Sequence, residues 1–313
     1  MTLTQLKYIV AVDNQSNFAS AAATCFVTQP TLSMQIQKLE EELDVIIFDR
    51  SKQPVTATDI GRKIIDQART ILRESFRIED IIKSEKKTIS GNFRLGIIPT
   101  VAPYLMPLFI ESFVNKYDGL NLIIDEIQTN EIIAKLKKDE LDAAILATPL
   151  SVPEFREVPL YYEPFVGYVS KGHKLYQKNR IQSAELDLED LWLLKEGHCF
   201  RDQVMKICSS YISGNNENIK LKFDGGTLDT LMKLVEHNFG MTLVPYLLSE
   251  ELKKGDQNKY LREFEPPVPK REISVVFQRA YLKKQIIEAL IEEIKKSLPE
   301  TVLDKESGFI VEG

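Results

Sequence analysis

From Phe93 onward the apolar residues switch repeatedly between the period of a strand and the period of a helix, a rhythm that few folds accommodate. The runs Phe93 to Ile98, Leu120 to Glu126 and Asp142 to Ala147 predict strands, with helices over Leu105 to Tyr117 and Glu131 to Lys138 between them. Such alternation predicts a parallel sheet, because a strand rejoins a parallel neighbour only by crossing one face of the sheet. A second set starts near Phe165 and takes in Asp190 to Leu194, the region of Cys199, Leu228 to His237 and Met241 to Pro245. Strand Glu272 to Phe277 and helix Leu282 to Lys296 close it. The expected fold class here is α/β in two lobes. Thr100 and Thr129 each follow a strand and precede a helix, where a hydroxyl caps the helix and free amides can bind a polar or anionic guest. Each alone is a simple cap; two at one sheet edge are a candidate site.

A chain of 313 residues is too long for one small domain and predicts two or three. Leu3, Leu6 and Ile9 are interleaved with polar residues as on a helix face, so no secretory signal is read there, and no run reaches the roughly 18 apolar residues of a membrane span. The expectation is a cytoplasmic protein. Its three cysteines therefore do not form a secreted disulfide framework.

Before Phe93 the pattern is helical. Leu3, Leu6, Ile9 and Val10 make one apolar face, and Phe18, Ala21 and Ala22 begin a short second helix after a polar break. Thr28 can cap a third helix with Pro30 just inside it. Leu32, Ile36, Leu39 and Leu43 form its buried stripe and leave Thr31, Ser33 and Met34 outward. Two short helices with a tight connection describe a helix-turn-helix whose second helix can enter the major groove of double-stranded DNA, with Gln29, Thr31 and Ser33 near base edges or phosphates. Phe48 to Thr58 reads as a hairpin wing, with Arg50 and Lys52 available for phosphates. A plain three-helix bundle fits the spacing equally well. Charge does not decide between them: the net charge is -6, and residues 1–87 hold twelve basic and twelve acidic side chains. The stretch from Asn14 to Lys38 nevertheless lacks any carboxylate. Cys25, beside Phe26, reads as a small buried hydrophobe.

Ile64, Ala68, Ile71, Ser75, Ile78 and Ile82 follow a heptad seam, which wants a partner helix and predicts dimerisation. Arg62, Lys63, Arg69, Arg73, Arg77 and Lys83 flank it as a charged face, and Lys86 to Asn92 reads as a hinge. The division expected is 1–58 winged helix-turn-helix, 59–87 linker helix, 88–92 hinge, 93–300 two-lobed regulatory domain and 301–313 tail.

Gly197 to Cys208 holds two cysteines nine residues apart. Cys199 would lie at a helix entrance, where free amides and Arg201 favour thiolate, and Cys208 beside Met205, Ile207 and Tyr211 reads as apolar and buried. Zinc needs a fuller ligand set than Cys199, Cys208 and His198 supply, so no metal is expected. A hydrolase needs a histidine poised on the sulfur, which adjacent His198 is not. Two ordinary core cysteines remain open on these grounds.

The run Phe18-Ala-Ser-Ala-Ala-Ala-Thr-Cys-Phe-Val-Thr-Gln-Pro-Thr-Leu-Ser-Met-Gln-Ile-Gln-Lys-Leu-Glu40 closely resembles the helix-turn-helix of LysR-type transcriptional regulators. The resemblance implies DNA binding through Gln29, Pro30, Thr31, Ser33 and Met34, a linker that pairs two winged helices, and an effector domain similar to periplasmic binding proteins. Gly197 to Cys208, Gly96 to Pro107, Gln128-Thr129 and Gly240 to Pro245 further resemble the peroxide-sensing branch of that family. It implies Cys199 as peroxidatic and Cys208 as resolving cysteine, joined by a disulfide on oxidation. Thr100, Thr129, His198 and Arg271 would line a peroxide pocket. The implied partners are operator DNA, hydrogen peroxide, RNA polymerase and three further copies in a homotetramer, with no cofactor and no enzyme turnover. A metabolite sensor and a thiol peroxidase are the alternatives. Met34 stands where the family often has a small residue, and the tail after Pro299 has no counterpart in the resemblance.

Overall fold

The computed structural model describes residues 1–85, 89–208, 225–278, 283–305 and 308–312, the side chains of 73, 76, 77 and 79–85 excepted. The chain divides into two units, Met1–Thr88 and Ile89–Gly313.

The first unit begins with α1 (Leu3–Gln15), α2 (Phe18–Thr24) and α3 (Gln29–Leu43). Each starts on a side-chain cap: Thr2 accepts from Gln5 N, Asn17 from Ala19 N and Ser20 N, and Thr28 from Thr31 N. Ala21 and Ala22 are buried, and their small side chains let α2 sit close to α1 and α3. The strands β1 (Phe48–Asp49) and β2 (Thr56–Ala57) form the antiparallel wing that the sequence predicts. The long α4 (Asp59–Glu85) follows.

The seam on α4 is divided. Ala68 is buried, together with Ile65 and Leu72, in this unit's own core, and Ile64 and Ile71 pack against the same core. Ala68 therefore cannot face a second helix, which corrects the seam over its first half: the wedge of α1 against α4 takes up that apolar face. Ile78 is 65% exposed. The side chain of Ile82 lies outside the described residues. Arg69 is also not on a solvated face; it is buried and paired with Asp13 at 2.7 Å.

The second unit contains β3 (Gly91–Ile97), α5 (Ala102–Lys116), β4 (Leu120–Glu126), α6 (Thr129–Lys137) and β5 (Ala143–Thr148). Here β4, β3 and β5 pair in parallel, as the alternation demands. Gly91 and Asn92 are already paired with Leu120 and Asn121, so the expected hinge does not reach them; its residues 86–88 lie outside the description.

Two long strands, β6 (Phe155–Val169) and β10 (Val268–Gln278), then pair antiparallel and run through both lobes. The rest of the second lobe is β7 (Arg180–Ile181), α7 (Cys199–Ile207), α8 (Leu228–Glu236), β8 (Met241–Pro245), α9 (Tyr246–Leu252) and β9 (Leu261–Phe264). It is built on antiparallel pairs of β6 with β8 and β9, not on a second parallel sheet, and Asp190 to Leu194 contributes only isolated bridges at Leu191 and Leu194. One apolar core gathers around Phe93, Phe109, Ile145 and Leu290, and another around Phe165, Phe200, Val204 and Met241.

The chain closes with α10 (Lys284–Ser297), α11 (Glu300–Leu303) and β11 (Gly308–Ile310). Leu282, expected to open the last long helix, lies outside the described residues. The tail is no loose appendage: β11 pairs in parallel with β10, and Val302 and Val311 are buried. No helix of the described residues is long and apolar enough to cross a membrane.

Asp142 pins the start of β5. Its carboxylate accepts from Arg94 N at 2.8 Å, from the Arg94 guanidinium at 3.0 Å and from Lys283 Nζ at 2.9 Å. Burial alone would raise its pKa, but these partners outweigh burial and hold it below the ordinary carboxylate value. This stabilisation is complete above the unfolded value near pH ~4 and is lost as pH falls through the lower folded value. Asp142→Ala should cost about 2 kcal/mol in urea unfolding at pH 7, the partners being partly solvated, and the loss should shrink in acid.

Candidate functional site

The turn after β3, the step before α6 and the entrance of α7 meet at one edge of the parallel sheet. Ile98, Pro99, Thr100, Gln128, Thr129, Gly197, His198 and Cys199 line a narrow, tightly closed crevice there. Gly197 makes the entrance to α7 with φ of 95°, and a Cβ at that position would come within 2.5 Å of Gln128 Oε1.

The two threonines do not cap helices. Val101 and Gln128 occupy the cap positions, without side-chain cap bonds. Thr100, nearly fully buried, instead accepts from Arg271 Nη1 at 2.9 Å through its hydroxyl and from Nη2 at 3.0 Å through its carbonyl. The Thr129 hydroxyl is buried and bonded to no nitrogen or oxygen; it faces the Cys199 thiol.

Arg271 is 1% exposed and lies directly across the β6–β10 ladder from Glu163, itself 1% exposed. Its Nε and Nη2 donate to Glu163 Oε2 at 2.8 and 2.6 Å, and its guanidinium stacks 5.0 Å from the centre of the Phe200 ring. The other carboxylate oxygen, Oε1, accepts from Leu247 N at 2.9 Å, in the first turn of α9. Four of the five guanidinium N–H groups are thus engaged, and the charge is neutralised inside the protein.

Burial pushes the Cys199 thiol above its ordinary pKa, although Thr129, Arg271 and the backbone N–H groups of Phe200 and Ala147 act in the opposite direction. The sequence expectation of a favoured thiolate is corrected on this point: desolvation exceeds the helix-entrance effect. It is also corrected on Arg201. That side chain donates to the Leu194 carbonyl at 2.9 Å and does not act on Cys199, because residues two apart on a helix point to opposite sides. Arg271, distant in sequence, is the cation that acts on the sulfur.

His198 is buried at the cap position of α7, with Nε2 at 3.2 Å from the Gln128 amide nitrogen. With that amide as donor, the ring accepts at Nε2. Burial and then Lys195 lower its pKa, so it is neutral at pH 7.

Cys208, at the far end of α7, is 2% exposed in the second core, and burial pushes its pKa up to about 12. Tyr211, expected beside it, lies outside the described residues. Cys199 packs instead against the first core. The helix therefore carries one thiol into each lobe. No disulfide links them, and Cys25 is also free. Among the described residues, no three His, Cys, Asp or Glu form a metal cluster.

On the helix-turn-helix, Gln29, Pro30 and Met34 are exposed and Thr31 and Ser33 partly so. Arg50 and Lys52 are not unpaired cations: Arg50 pairs with Glu40 at 2.8 Å and Lys52 with Asp49 at 3.4 Å. Glu40 near the end of α3 takes up the first charge, and Asp49 in the wing itself takes up the second.

Sequence reasoning missed Glu163 and Phe200 as parts of this site. A signal existed for Glu163, a lone carboxylate in the apolar run Tyr161-Tyr-Glu-Pro-Phe165, where only a buried partner could stabilise it.

Removing one member of the Arg271–Glu163 pair leaves a buried, unpaired charge. Arg271→Met should lower unfolding stability by about 3 to 5 kcal/mol, and the double variant Arg271→Met with Glu163→Gln should recover part of that loss. Denaturant unfolding of the reduced protein reads both.

Residues 3–62 match the bacterial regulatory helix-turn-helix protein, lysR family, and residues 86–299 match the LysR substrate binding domain. The Escherichia coli K12 DNA-binding transcriptional dual regulator OxyR is 36% identical over 295 residues, covering 94% of this chain and 95% of its own. A full-length OxyR variant from Pseudomonas aeruginosa, with aspartate in place of a cysteine, superposes with a TM-score of 0.78 at 32% identity, over 94% of this chain and 98% of that one. A hydrogen-peroxide-bound cysteine-to-serine mutant of OxyR from Corynebacterium glutamicum superposes with a TM-score of 0.61 at 28% identity, over 95% of this chain and 92% of that one.

Proposed function

We propose, for a chain that belongs to the LysR family of DNA-binding transcriptional regulators and is OxyR-like within it, that Cys199 senses hydrogen peroxide and Cys208 completes a disulfide switch. The observation that carries this reading is the placement of the two thiols at opposite ends of one short helix, each in a different core.

The lining of the crevice supports a small polar oxidant, and the groove is closed too tightly to hold a metabolite. Thr129 offers a buried hydroxyl with no other nitrogen or oxygen partner, and neutral His198 and Thr100 frame the same space. The Cys199 thiol first loses its proton. Its thiolate then attacks one peroxide oxygen: the S–O bond forms, the O–O bond breaks, and the hydroxide that leaves takes up a proton as water. The Cys208 thiol next attacks the Cys199 sulfenic sulfur, forming the S–S bond and releasing a second water.

This second step needs a different fold of α7. Nine helical residues rise about 13 Å, whereas a disulfide accepts alpha-carbon separations of only about 4.4 to 6.8 Å. Oxidation then unwinds α7 and draws Cys208 out of the second core. The new surface alters packing between copies of the chain, and with it the spacing of paired helix-turn-helix units on operator DNA and the approach of RNA polymerase. We assign the pairing of those units to the exposed part of α4 around Ser75 and Ile78, within a dimer of dimers.

Peptide mapping without reductant tests the switch: peroxide-treated protein should yield Cys199 linked to Cys208 with Cys25 free. Free thiols at both positions, at a dose that changes operator binding, would sink it. Cys199→Ser should remove the response, and Cys208→Ser should leave a sulfenic acid that over-oxidises. Because the Cys199 pKa is raised, the oxidation rate should climb about tenfold per pH unit through neutrality, since only the thiolate reacts. A sensor should consume about one equivalent of peroxide per reduced site and stop, where a thiol peroxidase would cycle with a reductant. For assembly, Ile78→Lys should split the dimer and weaken operator binding in sedimentation and gel-shift assays while the fold survives. An intact dimer would assign pairing elsewhere.

A further inference from the structure

The LysR substrate-binding match ends at residue 299, yet the chain beyond it is docked at the one helix that the proposed switch must unfold. On one side β11 pairs with β10 through Gly308 with Val268, Phe309 with Pro269 and Ile310 with Lys270, and Val311 N donates to Lys270 O at 2.8 Å. Lys270, 1% exposed, also reaches back to the Asp304 carbonyl at 2.7 Å. On the other side the tail meets α7. The Gln203 amide donates to Val311 O at 3.0 Å and the Lys206 ammonium to Glu312 O at 3.1 Å.

Gln203 and Lys206 are three residues apart and share one face of α7. Gln203 is fully buried and its amide oxygen has no hydrogen-bond partner, so the bond to the tail is what satisfies its amide nitrogen. The Val311 side chain is buried in the same core as Val204, Ile207 and Cys208. A single residue, Val311, thus ties α7 to β10, a strand that spans both lobes, and its side chain is buried in the core that also holds Cys208.

We propose that the tail segment 308–312 is a latch on α7, acting through Gln203, Lys206 and Val311 to hold the helix folded and Cys208 in its niche. Its consequence for sensing rests on the disulfide reading above. α7 cannot unwind without surrendering both tail hydrogen bonds and the packing of Val311, so the latch sets how readily Cys208 reaches Cys199. These are positioning residues; none touches the oxidant.

Two variants of the protein test the latch, one deleting residues 306–313 and one carrying Gln203→Leu, which keeps the tail and fills the buried site with an apolar side chain. The first readout needs no oxidant: amide hydrogen exchange in α7 of the reduced protein, with β5 as internal reference. Exchange in α7 should rise about tenfold in both, as expected for one or two lost hydrogen bonds, with β5 unchanged. The second readout is the rate of Cys199–Cys208 linkage at a fixed peroxide dose, which should rise in parallel. Unchanged α7 protection in both variants overturns the latch, and so does an equal rise in α7 and β5, which reports general loosening. Local loosening of α7 with no disulfide in parent or variant supports the latch and removes the disulfide reading.

Discussion

Much of the regulatory unit depends on one ion pair that the solvent cannot reach. Arg271 and Glu163 face each other across the two strands that join the lobes, where desolvation of both charges is expensive unless nearly every lone pair and N–H is used. The fold meets that condition. Glu163 takes the first turn of α9 with its remaining oxygen, and Arg271 takes the hydroxyl and carbonyl of Thr100. In this way one pair positions α9, the turn after β3 and, by stacking on Phe200, the first turn of α7. The strand crossing, the crevice and the redox candidate helix share a single anchor.

The thiol chemistry is set by opposing effects at that anchor. A helix entrance and a buried guanidinium both favour thiolate at Cys199, but enclosure of the sulfur disfavours any charge, and enclosure prevails. The Thr129 hydroxyl, bonded to no nitrogen or oxygen, faces that same sulfur in the narrow crevice. Cys208 is held still further from reactivity by burial in the other core. The helix between them is stable because each end is buried separately, and that division is also what makes joining its ends a large structural event.

The DNA-binding unit shows the same economy of charge. Its helix-turn-helix presents uncharged polar residues and Met34, while Arg50 is held by Glu40, whose other oxygen accepts the backbone N–H groups of Ile47 and Phe48 at the wing. Glu40 thus orders the wing and holds Arg50 with one and the same carboxylate.

Local chemistry was readable from the sequence alone. The cap at Thr28, the wing between Phe48 and Ala57, and the parallel pairing of β3, β4 and β5 follow from spacing and residue type within short windows. The long match to LysR-type regulators likewise resides in contiguous residues. What spacing could not fix was anything decided between distant segments. The antiparallel crossing of β6 and β10, the partner of Arg271, the turning of Arg201 away from Cys199, the burial of Ala68 in its own unit and the docking of the tail all depend on which surfaces meet. Periodicity determines which face of an element is apolar, because that is a property of the local backbone; what covers that face, and which buried charge finds which partner, is determined only by the packing of the whole chain.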